Sequence, residues 1–143
     1  MLISCSIYRE TKAKGTPGKA PTIDFCFRAW DKSDGYFGAE CKRLSIGQSK
    51  LIQEYIVNGV NRFTSGKYAS KCSVSAMIGY VQDGQVSDIV AALEPLMKNT
   101  NLEENLIRIL NESNPEYKTV HIRDTDAQAI VLHHLFFDFT PAA

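Results

Sequence analysis

Apolar and polar residues alternate along LISCSIYRE at positions 2–10, which predicts a first strand. The TKAKGTPGKAP that follows is rich in Gly, Pro and Lys and reads as a basic loop. TIDFCFRAW resumes a period of two, with Ile23, Phe25, Phe27 and Ala29 on one face and Asp24, Cys26 and Arg28 on the other. After the turn-forming DKSDG, YFGAECKRL sets Phe37, Ala39 and Cys41 against Tyr36, Gly38, Glu40 and Lys42. The spacing then changes. Leu51, Ile52, Tyr55, Ile56, Val60 and Phe63 form a helical stripe over 48–63, with Ser45 and Gln48 placed as a capping box. CSVSAMIGYV predicts another strand, ended by Gln82-Asp83-Gly84. A helix over 87–98 should be bent or shortened by Pro95. LEENLIRIL reads as a third helix, capped by Asn101 with Glu104 at the capping-box position. YKTVHIR and QAIVLHHLFFDF close the chain as a hairpin around Asp124-Thr125-Asp126.

This order of elements predicts an α/β or α+β fold, a mixed β-sheet flanked by helices, as a single domain over 1–143. With 44 % apolar residues the chain can wrap one core. Lys and Arg together number 16, as do Asp and Glu, so net charge gives no argument for a nucleic-acid, membrane or acidic partner. Any binding surface must come from local clustering. No apolar run reaches the roughly 18 residues of a membrane span, and the first ten residues lack the features of a signal peptide. A cytoplasmic protein is therefore expected. The four cysteines show no C-x-x-C pair and are read as reduced thiols.

A hairpin centred on 31–35 brings the two most polar strand faces together. If Trp30 faces Tyr36, then Cys26 faces Glu40 and Asp24 faces Lys42, and the apolar residues of both strands share the core face. Glu40 then lies diagonal to Asp24 at roughly 7 to 8 Å between Cα atoms. Two carboxylates so close repel unless a cation offsets them. Mg²⁺ suits such a pair, because it takes oxygen ligands, keeps several waters and commonly uses one or two carboxylates. Gly38, on the same face, would leave room for a phosphate to approach.

Asp24 on one strand and Glu40-Cys41-Lys42 on the next resembles the PD-(D/E)xK signature of the restriction-endonuclease-like superfamily, with Ile23 at the motif's proline. GAECKRL, the helix ending GVNRF, then KYA and MIGYV is similar to small members from bacteria and their phages. The resemblance covers roughly residues 3–81. It implies a restriction-endonuclease-like core with an abbreviated N-terminal helix, and a nuclease that hydrolyses phosphodiester bonds, in DNA, with Mg²⁺ or Mn²⁺. Asp24 and Glu40 would bind metal, Glu10 is a further candidate ligand, and Lys42 would orient water and stabilise charge.

Around this set, Gln53 is a candidate supporting group, and Lys19, Arg43, Lys50, Arg62 and Lys67 are candidates for contacting nucleic acid. The chain opens almost directly into a strand, so a protein partner or a second copy could be needed to complete the site. The alternative function is a nuclease-like fold, weak or inactive in catalysis, that serves as a binding, regulatory or inhibitor subunit. A histidine metal site is disfavoured: a turn at 124–127 pairs His121 with Ile130, and His133 and His134 point to opposite faces. Tyr55, Phe63, Tyr80, Phe136 and Phe137 read most simply as core.

Overall fold

The period-two segments pair into one seven-stranded mixed sheet of order β1-β2-β3-β4-β7-β6-β5 in the computed structural model, which describes residues 3–9, 22–29, 36–109 and 116–142. The strands are β1 (Ile3–Arg9), β2 (Thr22–Ala29), β3 (Phe37–Ser45), β4 (Val74–Asp83), β5 (Leu102–Ile109), β6 (Glu116–Ile122) and β7 (Ala129–Asp138). The centre is parallel, β3 to β4 and β4 to β7, and antiparallel pairs flank it on both sides. The expected α+β class, a mixed sheet with helices, is what the chain forms.

Parallel neighbours need a crossover, and the stretch after β3 supplies it. The helical stripe forms α1 (Ser49–Tyr55), a π-helical turn (Ile56–Val60) and α2 (Asn61–Thr64), and α3 (Val86–Met97) follows β4. Ile52, Tyr55, Ile56, Val60 and Phe63 are buried, as the stripe predicts. The capping box is not formed. Gln48 is the N-cap without a side-chain bond, and the Ser45 hydroxyl turns instead toward Asp83, at 3.4 Å. Pro95 sits inside α3, which ends two residues later at Met97.

The helices cover the face that carries Gly38, Glu40 and Leu44 of β3, Met77, Gly79 and Val81 of β4, and Leu132, His134 and Phe136 of β7. Each fully buried aliphatic or aromatic side chain contributes about 1.5–3 kcal/mol. Gly79 is required here for space. A Cβ would lie 2.5 Å from Leu44 Cδ1 and 2.7 Å from Phe136 Cδ1.

Three expectations need correction. Phe25 and Phe27 are 41 % and 40 % exposed, whereas Cys26 is buried, so the apolar residues of β2 do not share the core face. An extra residue explains the split: between Ser6↔Cys26 and Tyr8↔Ile23, β2 carries one residue more than β1, and this bulge returns Ile23 to the interior while Phe25 stays out. Second, β2 and β3 pair as Phe25↔Ala39, Cys26↔Gly38 and Phe27↔Phe37. That register is two residues from the predicted one, which preserves the faces and moves the opposite numbers. Third, LEENLIRIL is not a helix. Asn101 takes a left-handed φ of 52°, its carbonyl accepts from Ile122 N at 3.0 Å, and β5 covers the edge of β6. An open row of backbone donors and acceptors on β6 outweighs local helical spacing.

The terminal hairpin has the predicted register, with His121 opposite Ile130. His133 and His134 do point to opposite faces, His134 being fully buried and His133 not. Tyr55, Phe63 and Phe136 are core residues. Phe137 is not, at 42 % exposed on the face away from the helices, and Tyr80 is half-buried there.

Candidate active site

β2 leaves β3 at Phe25. Their ladder ends at Phe25↔Ala39, whereas β3 stays paired with β4 from Ala39 to Ser45. The amide of Cys41 therefore has no strand partner on the β2 side, and the Asp24 carboxylate replaces one, with Oδ2 accepting from Cys41 N at 2.7 Å. Asp24 lies close enough to Glu40 for its charge to act on that carboxylate, although the two are not paired across the strands.

Glu40 is only 4 % exposed. Lys42, two residues on along the same face, forms an ion pair with Oε1 of Glu40, and its ammonium also donates to the Cys41 carbonyl at 3.3 Å. Oε2 of Glu40 is buried with no hydrogen-bond partner among the described residues. Burial raises the pKa of Glu40; the hydrogen bond and charge of Lys42 oppose the rise, nearby Asp24 adds to it and Arg62 opposes it. Tyr68 feels the same acids: burial chiefly, then Glu40, raise its phenol pKa, while a hydrogen bond from Arg62 lowers it. Asp24, Glu40 and Lys42 are thus brought together, but Lys42 is bound to Glu40 and does not face Asp24.

A cleft of ≈ 690 Å³ opens between β3 and the helix, where Lys42, Arg43, Lys50, Glu54, Asn58 and Arg62 all contribute. Asn58 Nδ2 donates to Glu54 Oε2 at 2.5 Å, Arg62 Nη2 donates to Asn58 Oδ1 at 3.4 Å, and Arg62 Nη1 donates to Tyr68 Oη at 2.7 Å. This ladder crosses the π-helical turn, where a Cβ on Gly59 would lie 3.8 Å from Lys42 Cγ. π turns recur where helices serve a site. A second hollow of ≈ 490 Å³ is lined by Asp24, Phe25, Cys41, Lys42, Arg43 and Tyr80.

The supporting residues differ from expectation in part. Gln53 is exposed and lines neither hollow, and Glu54 and Asn58 occupy the helix face that meets the cleft. Gly38 leaves no room for a phosphate, because Ile23 Cδ1 and the Tyr36 ring would lie 2.5 and 2.9 Å from a Cβ there. Arg43, Lys50 and Arg62 line the cleft; Lys67 is exposed and outside it. Glu10 and Lys19 lie outside the described residues. Tyr68 was missed by the sequence reading, since a tyrosine after a loop carries no spacing signal.

Among the described residues no three or more His, Cys, Asp or Glu side chains are grouped to hold a metal. The pair Asp24 and Glu40 can still serve a hard divalent cation, which commonly takes one or two carboxylates and completes its shell with water. The bare buried Oε2 of Glu40 fits such an ion.

The histidines form a separate network under the helices. His121 Nδ1 lies 2.9 Å from the Thr100 carbonyl, so that nitrogen carries the proton. Its Nε2 then accepts from Thr119 Oγ1 at 2.7 Å, Thr119 accepts from His134 Nε2 at 2.7 Å, and His134 Nδ1 accepts from Tyr55 Oη at 2.8 Å. The Thr119 hydroxyl thus joins two rings that strand spacing alone appeared to separate. Every ring nitrogen is satisfied with both rings neutral. Burial, then the charges of His121 and His133, lower the His134 pKa to about 3, and burial lowers that of His121.

Comparison with known proteins returns no matching family model, curated protein or solved structure. No helix among the described residues is long and apolar enough to cross a membrane.

Proposed function

We propose that the chain is a Mg²⁺- or Mn²⁺-dependent nuclease of the PD-(D/E)xK kind, with a restriction-endonuclease-like core, acting on phosphodiester bonds in DNA. The observation that carries this reading is the buried, unpartnered Oε2 of Glu40 beside Asp24 and Lys42. Leaving a carboxylate oxygen without a donor costs about 1–3 kcal/mol or more, a cost explained if the oxygen is a ligand in the working state. Asp24 and Glu40 would hold the ion, which supplies Lewis acidity and a water acidic enough to attack at neutral pH. Lys42 leaves Glu40 for the phosphate, where its ammonium offsets the charge that develops and positions the attacking water. Arg43 and Arg62 bind the flanking phosphates from the cleft wall. Asp24 also fixes the backbone of Cys41 between the two functional side chains.

A second reading, a nuclease-like fold retained as a binding or regulatory module, is favoured by one observation. Lys42 already neutralises Glu40 and occupies the Cys41 carbonyl, so the resting site is closed by its own ammonium. Incubation of plasmid and single-stranded DNA with Mg²⁺ or Mn²⁺ separates the two. Cleavage lost in Lys42→Ala, with circular dichroism unchanged, is the expected result. Binding with no cleavage under any divalent ion would give the second reading.

A further inference from the structure

Phe25, Phe137 and Phe139 are 41, 42 and 61 % exposed, and the first two lie on the sheet face opposite the helices. Large apolar side chains gathered on one exposed surface commonly mark a binding surface. These adjoin the candidate site. Phe25 and Tyr80 line the same hollow as Asp24, Lys42 and Arg43. Across the sheet, Tyr80 has Arg43 as its neighbour on β3 and Phe137 as its neighbour on β7. The Phe139 ring meets Tyr80 edge-on at 5.4 Å between centroids, and Phe137 is tilted against it at 6.4 Å.

We infer that this face is a stacking platform for nucleobases, and that the proposed nuclease takes single-stranded nucleic acid; the inference rests on that reading of Asp24, Glu40 and Lys42. Two observations select this occupant. Cys41, Lys42 and Arg43 line both hollows, so the hollow that holds Phe25 and Tyr80 and the polar cleft meet at the reacting groups, as bases and phosphates of one strand require. The basic side chains are clustered locally, with Lys42, Arg43, Lys50 and Arg62 along one cleft, as a groove that tracks the backbone of a single strand requires. Base–aromatic stacking adds affinity to such a groove. Bases within a duplex are stacked on one another, with their faces turned away from such a platform.

Phe139 is the residue to change, because it is the most exposed ring of the set and its backbone amide bond to Val81 O, at 2.7 Å, survives substitution. A labelled oligodeoxynucleotide is tested alone and annealed to its complement: binding by fluorescence anisotropy in EDTA, cleavage in Mg²⁺ or Mn²⁺. The expected result is preference for the single strand. Phe139→Ala should weaken its binding about five-fold or more, the low end of the cost of one stacked base, and raise KM with little change in kcat. Phe139→Trp should restore binding, and Phe139→Leu, apolar without a π face, should not. Equal or better cutting of duplex, or no response of single-strand binding to Phe139→Ala, overturns the platform and leaves the nuclease reading standing if Lys42→Ala is still inactive. Phe139-dependent binding of single strands without cleavage keeps the platform and removes the nuclease. If Phe139→Ala changes only the sedimentation of the protein, the face is a protein interface and the proposal fails.

Discussion

Acidification from pH 7 to pH 5 should destabilise this fold, and the Tyr55–His134–Thr119–His121 network sets the size of the effect. In the folded protein His134 titrates near 3, against about 6.5 when unfolded, because burial removes the water that would solvate a cation and His121 and His133 lie close enough to oppose a further positive charge. The folded-state pKa is depressed, so this contribution is fully present above pH 6.5. It falls as pH drops below 6.5, when the unfolded chain takes the proton and the folded chain does not, and is exhausted near pH 3. At about 1.4 kcal/mol per pH unit, the 1.5 units between 6.5 and 5 remove about 2 kcal/mol through His134 alone. His121, lowered by burial, acts in the same direction. Glu40 acts oppositely, since its raised pKa favours proton uptake by the folded state as the pH falls toward it. Urea denaturation at stepped pH measures the sum. The double variant Tyr55→Phe, His134→Met isolates one term by removing the titrating ring together with its donor, and its loss between pH 7 and 5 should be smaller than wild type by about 2 kcal/mol. Parallel curves for the two proteins would refute the neutral, fully bonded assignment of His134.

Substitutions at Glu40 and Lys42 should differ in sign. Glu40→Gln removes a buried charge and should leave the thermal midpoint unchanged or higher, whereas Lys42→Met strands Glu40 and should cost about 1–3 kcal/mol, below the fully buried range because Lys42 is part-exposed; differential scanning fluorimetry checks both. Gly79→Ala drives a methyl into Leu44 and the Phe136 ring and should cost about 1–3 kcal/mol in chemical denaturation, with a stability within 0.5 kcal/mol of wild type contradicting the packing described.

The sequence made most of the sheet readable because period two survives in half-buried strands, and helix 48–63 because its apolar stripe is buried as written. Glu40 and Lys42 were legible as sharing a face through parity, since a slip of two residues preserves faces; Asp24 lies within the bulge, and its nearness to Glu40 does not follow from parity. What parity cannot carry is a bulge. The extra residue in β2 set Ile23 on the buried side while Phe25 and Phe27 face solvent, so residues of one apparent apolar face divide between the two sides of the sheet. Leu102–Ile109 was misread because its i, i+4 leucines suit a helix, and only the unfilled edge of β6 decides for a strand. Gln53 is the helix residue the sequence suggests, and Glu54 and Asn58 meet the cleft instead, because strand-to-helix rotation is not encoded in spacing along either element. Thr119, which bridges two histidines, gave no signal, since the contact crosses strands.

The role given to Asp24 and Glu40 is tested most directly by soaking crystals in Mn²⁺ and locating the ion from its anomalous scattering. The account predicts a single strong peak within about 2.5 Å of carboxylate oxygens from both residues, with Oε2 of Glu40 among the ligands and the Lys42 ammonium displaced from the pair. Mn²⁺ ordered only elsewhere, with Lys42 still seated on Glu40, would contradict it.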